Sequence, residues 1–127
     1  MKNYFILCIC FLLLNCKYFQ GDHCNNTKPI VGTYENSYDK NAKNILIIKE
    51  NKTFEQIFIK GKNIKKNKGT WKFVNERCVV YLNNLKLLHK VPKQYEEFFS
   101  DRGIFRLNKI MFNEDLRKQF DFYRIKN

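Results

Sequence analysis

Few side chains in this sequence are of a type and spacing that could do acid–base or nucleophilic chemistry. There are two histidines, His23 and His89, far apart in the chain. A single histidine inside a domain is more often packed than catalytic. Ser37 and Ser100 are the only serines, and neither lies in a glycine-flanked elbow that would expose a nucleophile. Glu96 and Glu97 are adjacent, so on a helix they point apart. Cys78 sits in the apolar run CVVYL, where burial raises a thiol's pKa and quiets it. Asp22, His23 and Cys24 carry metal-ligating groups, but three neighbours in sequence do not converge on one ion unaided, and no second cluster follows. No glycine-rich phosphate loop and no Cys-x-x-Cys occurs. We therefore expect a protein that is not an enzyme and uses no metal or cofactor.

The remaining cysteine chemistry is at the start of the chain. Met1-Lys2-Asn3 is a short positive opening, and residues 4–14, YFILCICFLLL, form an apolar core of signal-peptide length. That core is too short for a membrane helix of roughly 20 residues. It ends in Leu13-Leu14-Asn15-Cys16, which resembles the lipobox of bacterial lipoproteins, with Asn15 where that motif has Gly, Ala or Ser. The resemblance implies a diacylglycerol thioether on Cys16 and cleavage before it. Residues 1–15 then read as a signal peptide and residues 16–28 as a polar, lipid-anchored tether. A plain secretory leader and an uncleaved anchor are the alternatives. The expected location is the bacterial cell envelope, with the outer membrane favoured because Lys17 is not an acidic retention cue. Of the five cysteines, only Cys24 and Cys78 would remain as thiols in such a chain. A pair in an exported protein suggests a disulfide; two unpaired cysteines are the other reading.

Charge is the strongest compositional signal. The chain carries a formal +12, from 24 Lys and Arg against 12 Asp and Glu. An anionic surface, acidic polysaccharide or nucleic acid would suit such a partner. The simpler reading is composition: 19 Lys and 16 Asn are spread along the chain, with lysines solvating strand faces. The densest basic patch is Lys60, Lys62, Lys65, Lys66 and Lys68, read here as a solvated hairpin turn or a tip facing lipid or polyanion.

The elements that must position these groups are strands. In Phe54-Glu55-Gln56-Ile57-Phe58-Ile59 the two aromatics share one phase of a period of two and the two isoleucines the other, which reads as strand. We place strands at 30–36, 45–49, 53–60, 69–74, 78–82, 103–107, 110–113 and 119–125. Asn51-Lys52 and Asn108-Lys109 sit where two-residue hairpin turns belong. Residues 83–102 break the pattern. After Pro92, the spacing of Tyr95, Phe98 and Phe99 predicts one short helix across an end of the sheet, as a plug or as a lid. About eight antiparallel strands in an all-β, up-and-down meander can close into a small barrel; a flattened, partly open sheet is the alternative. With the leader removed, about 110 residues bury roughly two-thirds of their surface, enough for one core.

Val31-Gly32-Thr33-Tyr34, Asn51-Lys52-Thr53-Phe54 and Lys68-Gly69-Thr70-Trp71-Lys72-Phe73 resemble, in type and spacing, the lipocalin-like domains of small bacterial lipoproteins. Tyr34 stands where classical lipocalins have Trp. The resemblance covers roughly residues 30–125 of a domain placed at 29–127, and implies a calyx-like barrel attached to the envelope, without catalytic residues. Its interior is expected to hold Tyr34, Phe54, Phe58, Trp71, Phe73, Phe120 and Phe122, which would line a cavity for a small apolar ligand. The alternative function is a structural or inhibitor-type interaction module with a filled barrel and a basic hairpin. Single-stranded nucleic acid would also suit basic stretches among aromatics, but export argues against that partner.

Overall fold

The computed structural model describes residues 23–126. The expected signal peptide, Cys16 and most of the expected tether lie outside those residues. Eight strands run β1 (Gly32–Glu35), β2 (Lys43–Ile48), β3 (Thr53–Lys60), β4 (Asn63–Val74), β5 (Val79–Asn83), β6 (Arg102–Arg106), β7 (Lys109–Met111) and β8 (Phe122–Lys126). Each pairs antiparallel with the next, and β8 pairs with β1, so the sheet closes into an up-and-down barrel with no free edge. Closure has one irregularity: the β1–β8 register shifts between Thr33 and Tyr34.

Alternation explains the wall. On β2 Asn44, Leu46 and Ile48 are buried while Lys43 is exposed and Ile45 and Ile47 are half-buried, and on β3 the buried set is Phe54, Gln56 and Phe58. The phase of each strand puts its largest apolar side chains inside. Tyr34, Leu46, Ile48, Phe54, Trp71, Val80, Leu82, Phe105, Ile110 and Phe122 form one continuous core. Aromatic rings meet edge to face within it, Tyr34 on Phe105 and Phe73 on Phe105. Gly69 is required where β3, β4 and β5 crowd together: a Cβ there would stand 2.1 Å from the Asn83 carbonyl oxygen and 2.5 Å from the Phe54 ring.

Three connections differ from the sequence reading. The lysine-rich segment is not a long turn. Residues 63–69 extend β4, Lys60 pairs with Asn63, and only Gly61 and Lys62 turn the chain, with Gly61 at φ +58°. In the β2–β3 connection Lys52, not Asn51, takes the left-handed conformation at φ +64°. Asn51 instead accepts hydrogen bonds on Oδ1 from the Thr53 amide and hydroxyl. The β6–β7 turn is Leu107-Asn108, both at positive φ, one residue earlier than Asn108-Lys109.

Among the described residues two single-turn helices occur where one was expected, α1 (Lys93–Glu96) and α2 (Arg117–Phe120). A 3₁₀ turn, Asn75–Arg77, joins β4 to β5. The residues read as the start of the last strand, Gln119 and Phe120, belong to α2.

Candidate functional site

The barrel has two unlike ends. At one, the entering chain wraps the rim. Cys24 and Cys78 are joined as a disulfide, with Cα atoms 5.6 Å apart. The Leu107 amide donates to the Cys24 carbonyl. Asn26 and Asn108 exchange bonds with the opposite segment. Asn26 Nδ2 donates to the Phe105 carbonyl and its Oδ1 accepts from the Asn108 amide, while Asn108 Oδ1 accepts from the Thr27 and Lys28 amides. Residues 23–28, read from sequence as tether, are therefore fixed to the β6–β7 turn.

Arg124, on β8, closes the same end. Its guanidinium donates to the carbonyls of Val31 and Pro29 and to the Tyr34 hydroxyl. Burial raises the Tyr34 hydroxyl well above the ordinary tyrosine range, against a smaller opposing pull from Arg124. Tyr34 is thus a neutral donor, to the Ile30 carbonyl. Across the rim, Trp71 Nε1 donates to the Lys49 carbonyl at 2.8 Å, and Lys52 Nζ lies 4.0 Å from the centre of the Trp71 ring. A hollow of about 600 Å³ opens here, beside Trp71, Phe73, Phe105, Ile30 and Lys52.

At the other end, residues 84–91 cross the mouth as a strap. Inward polar side chains hold it. Gln56 pairs with Lys86 as a strand would, Nε2 donating to the Lys86 carbonyl and Oε1 accepting from the Lys86 amide. Asn67 Nδ2 donates to Gln56 Oε1 and to the Asn84 carbonyl. Lys65 Nζ donates to the Leu88 carbonyl. His89, also in the strap, is buried between Asn44 and α2. Its Nε2 must donate, because its partner at 2.7 Å is the Gln119 carbonyl; its Nδ1 therefore accepts from Asn44 Nδ2 at 2.8 Å. Burial holds the His89 pKa below its ordinary value, so the neutral ring is favoured. The strap, with Leu85, Leu88, His89 and Val91 buried, plugs this end, and α1 stands outside it.

Asp121, between α2 and β8, is wholly buried. Its Oδ1 accepts from the Phe112 amide, and its Oδ2 has no partner. Burial raises its pKa.

Of the side chains read as cavity candidates, Trp71 and Phe73 line the rim hollow and the others are packed. Tyr34, Phe54, Phe58, Trp71 and Phe122 are buried in the barrel, Phe120 is buried on α2, and Phe73 is half-buried at the rim. The principal hollows open at the N-terminal rim and on the outer wall. The basic set is divided by the pleat. Lys65 turns toward the strap, and its ammonium lies 5.6 Å from the Phe58 ring centre. Lys60 pairs with Asp39 at 2.8 Å, and Lys68 approaches Glu55 at 3.7 Å. Lys62 and Lys66 are exposed. The Lys60 ammonium holds the Asp39 carboxyl below the ordinary range, and Lys49 does the same for Glu55.

As for metal, the fold brings Cys78 to His23 and Cys24, with their ligand atoms within 4.8 Å of one another. The two sulfurs are bonded to each other, which removes the thiolates a metal would need. His23 also contacts the Glu76 carbonyl. The polar residues that sequence reading missed are Gln56, Asn44 and Asn67. Their signal was phase: each occupies an inward position of its strand, Gln56 between Phe54 and Phe58. Comparison with protein-family profiles, with characterised proteins and with solved structures finds no match to this chain.

Proposed function

We propose that this chain is a non-catalytic envelope lipoprotein: a lipocalin-like barrel, tethered through a lipid on Cys16, that acts as an interaction module by presenting its surface. The observation that carries the reading is the filled interior. Tyr34, Leu46, Phe54 and Phe105 are each 1% exposed or less, and the strap plugs one mouth with side chains committed to hydrogen bonds. A barrel packed to this degree works through its outside. The Cys24–Cys78 bridge supports export, since such bonds persist in oxidising compartments. The bacterial outer membrane is the expected site, for the sequence reasons given above.

A second reading, capture of a small apolar ligand, has one observation in its favour. The hollow beside Trp71 and Phe73 has about 600 Å³, within the usual size of ligand sites.

Native mass spectrometry of the detergent-extracted protein separates these readings. Expected is a diacylglycerol-modified chain that brings a protein partner and no small molecule. A stoichiometric apolar ligand would replace the first reading with the second. An unmodified Cys16 would remove the anchor.

A further inference from the structure

The tip of the β6–β7 hairpin is built against its own backbone preference. Leu107 sits at φ +53°, a conformation that costs a branched aliphatic residue and suits Asn or Gly. Its side chain gains no packing in return, because the residue is 58% exposed. The two-residue turn requires that conformation, so what the fold leaves unexplained is a leucine in place of Asn or Gly, and an exposed apolar residue kept at such a cost points to function. Two more exposed apolar side chains, Tyr123 and Ile125 on the outer face of β8, stand beside it. Together they line a hollow of about 450 Å³ whose charged members are Lys28, Lys109 and Arg124, with no carboxylate among them. Arg106 follows on the same hairpin. The acidic residues of this end, Glu50 and Glu76, belong to the β2–β3 and β4–β5 connections; Glu50 shares a neighbouring hollow with Lys28 and Arg124, which leaves Lys109 and Arg106 as the cations farthest from a carboxylate.

This is also the end where the described chain begins. His23 and Cys24 are fixed to the β4–β5 connection, and Cys24 also holds the β6–β7 turn. From Cys16 to His23, at most about 25 Å of extended chain intervenes. A lipid on Cys16 would hold this rim, and not the strap end, against the bilayer. A tether of that length lets the rim approach to within the roughly 8 Å over which opposite charges attract in physiological salt, and aliphatic side chains ringed by cations enter the headgroup layer.

We propose that the β6–β7 tip and the adjoining outer face of β8, centred on Leu107, Tyr123 and Ile125, dock on an anionic bilayer. The orientation turns the strap end and the β3–β4 hairpin outward, where a partner reaches them. This inference rests on the tethered reading above for its geometry, but its surface chemistry stands apart from it.

The test uses the full chain in phosphatidylcholine vesicles with and without phosphatidylglycerol. Ile125→benzoylphenylalanine and, as the control on the opposite end, Ile64→benzoylphenylalanine report lipid contact by photocrosslinking. Expected are lipid adducts from position 125 and not from 64, rising with phosphatidylglycerol, and reduced several-fold by Leu107→Asn. That substitution suits the left-handed turn, so loss of fold does not explain its effect; thermal unfolding of the variant at or above the parent temperature checks this. Equal adducts at 64, or adducts indifferent to both phosphatidylglycerol and Leu107→Asn, overturn the docking face. The mass at Cys16 keeps the two ideas apart. An acylated chain with even labelling defeats the face alone. An unacylated chain that keeps the pattern defeats the anchor alone.

Discussion

The guanidinium of Arg124 lies 4.9 Å from the ring centre of Tyr34 and donates to its hydroxyl. The two residues face each other across the last pairing of the barrel, β8 on β1. The same guanidinium reaches the Pro29 and Val31 carbonyls, so one side chain joins the first strand, the last strand and the segment that precedes them.

Arg124→Met keeps the apolar stem and removes the fork. It leaves two carbonyls and a buried hydroxyl short of a partner, and we expect a loss of about 3 kcal/mol in urea unfolding. Tyr34→Phe removes the hydroxyl alone and should cost about 1 kcal/mol. The double variant should lose less than the sum of the two, because the groups share a bond.

Gly69→Ala tests the crowding of the wall. Both obstacles to a Cβ, the Asn83 carbonyl and the Phe54 ring, belong to well-paired or buried parts. Neither can yield cheaply, and a destabilisation of about 2–3 kcal/mol is expected. A neutral result would mean that β4 and β5 separate more easily than their register implies.

The strap should respond to acid. The folded state lowers the His89 pKa from its ordinary value of 6.5, chiefly by burial. Neutral His89 therefore contributes stability that is fully present above that value and is lost as pH falls through the depressed folded value. Imidazolium cannot accept from Asn44, so the loss is local. Around the ring stand the Tyr38 ring and the Asp39 carboxylate, which is itself held by Lys60. The protection factor of the Lys86 amide, taken against its intrinsic exchange rate at each pH, should fall from about pH 7 to about pH 5, ahead of amides in β2 and β3. Asp121 runs the other way. Its raised pKa means that stability is present in acid and is lost as pH rises through the folded value. Asp121→Asn should flatten that second slope, read by unfolding at several pH values.

Reducing the Cys24–Cys78 bond frees a loop of 54 residues in sequence separation. In the chain-entropy picture that costs about 4 kcal/mol. Paired Cys24→Ser and Cys78→Ser substitutions should show a loss of this size in chemical denaturation, and exchange should rise first in residues 23–28.

Strand count, antiparallel order and closure were legible because period two with aromatics at inward phases is a long-range pattern. Turn geometry was not. Asn51 and Asn108 carry turn propensity, yet at the first site the asparagine serves by its side chain and a lysine takes the strained backbone. Lysines at 62–68 looked like a loop because solvation and strand exposure call for the same residues; register against β3, not composition, made residues 63–69 strand. The strap was visible only as a break in pattern. Its anchors, Gln56 and Asn67, were polar residues on the apolar phase, and such positions mark where a wall meets something that crosses it.

Because the final strand, Phe122–Lys126, supplies the partner of Gly32–Glu35, the ring cannot be completed during synthesis until its last residues have emerged. Until then both margins stand open, each with a row of unpaired backbone groups.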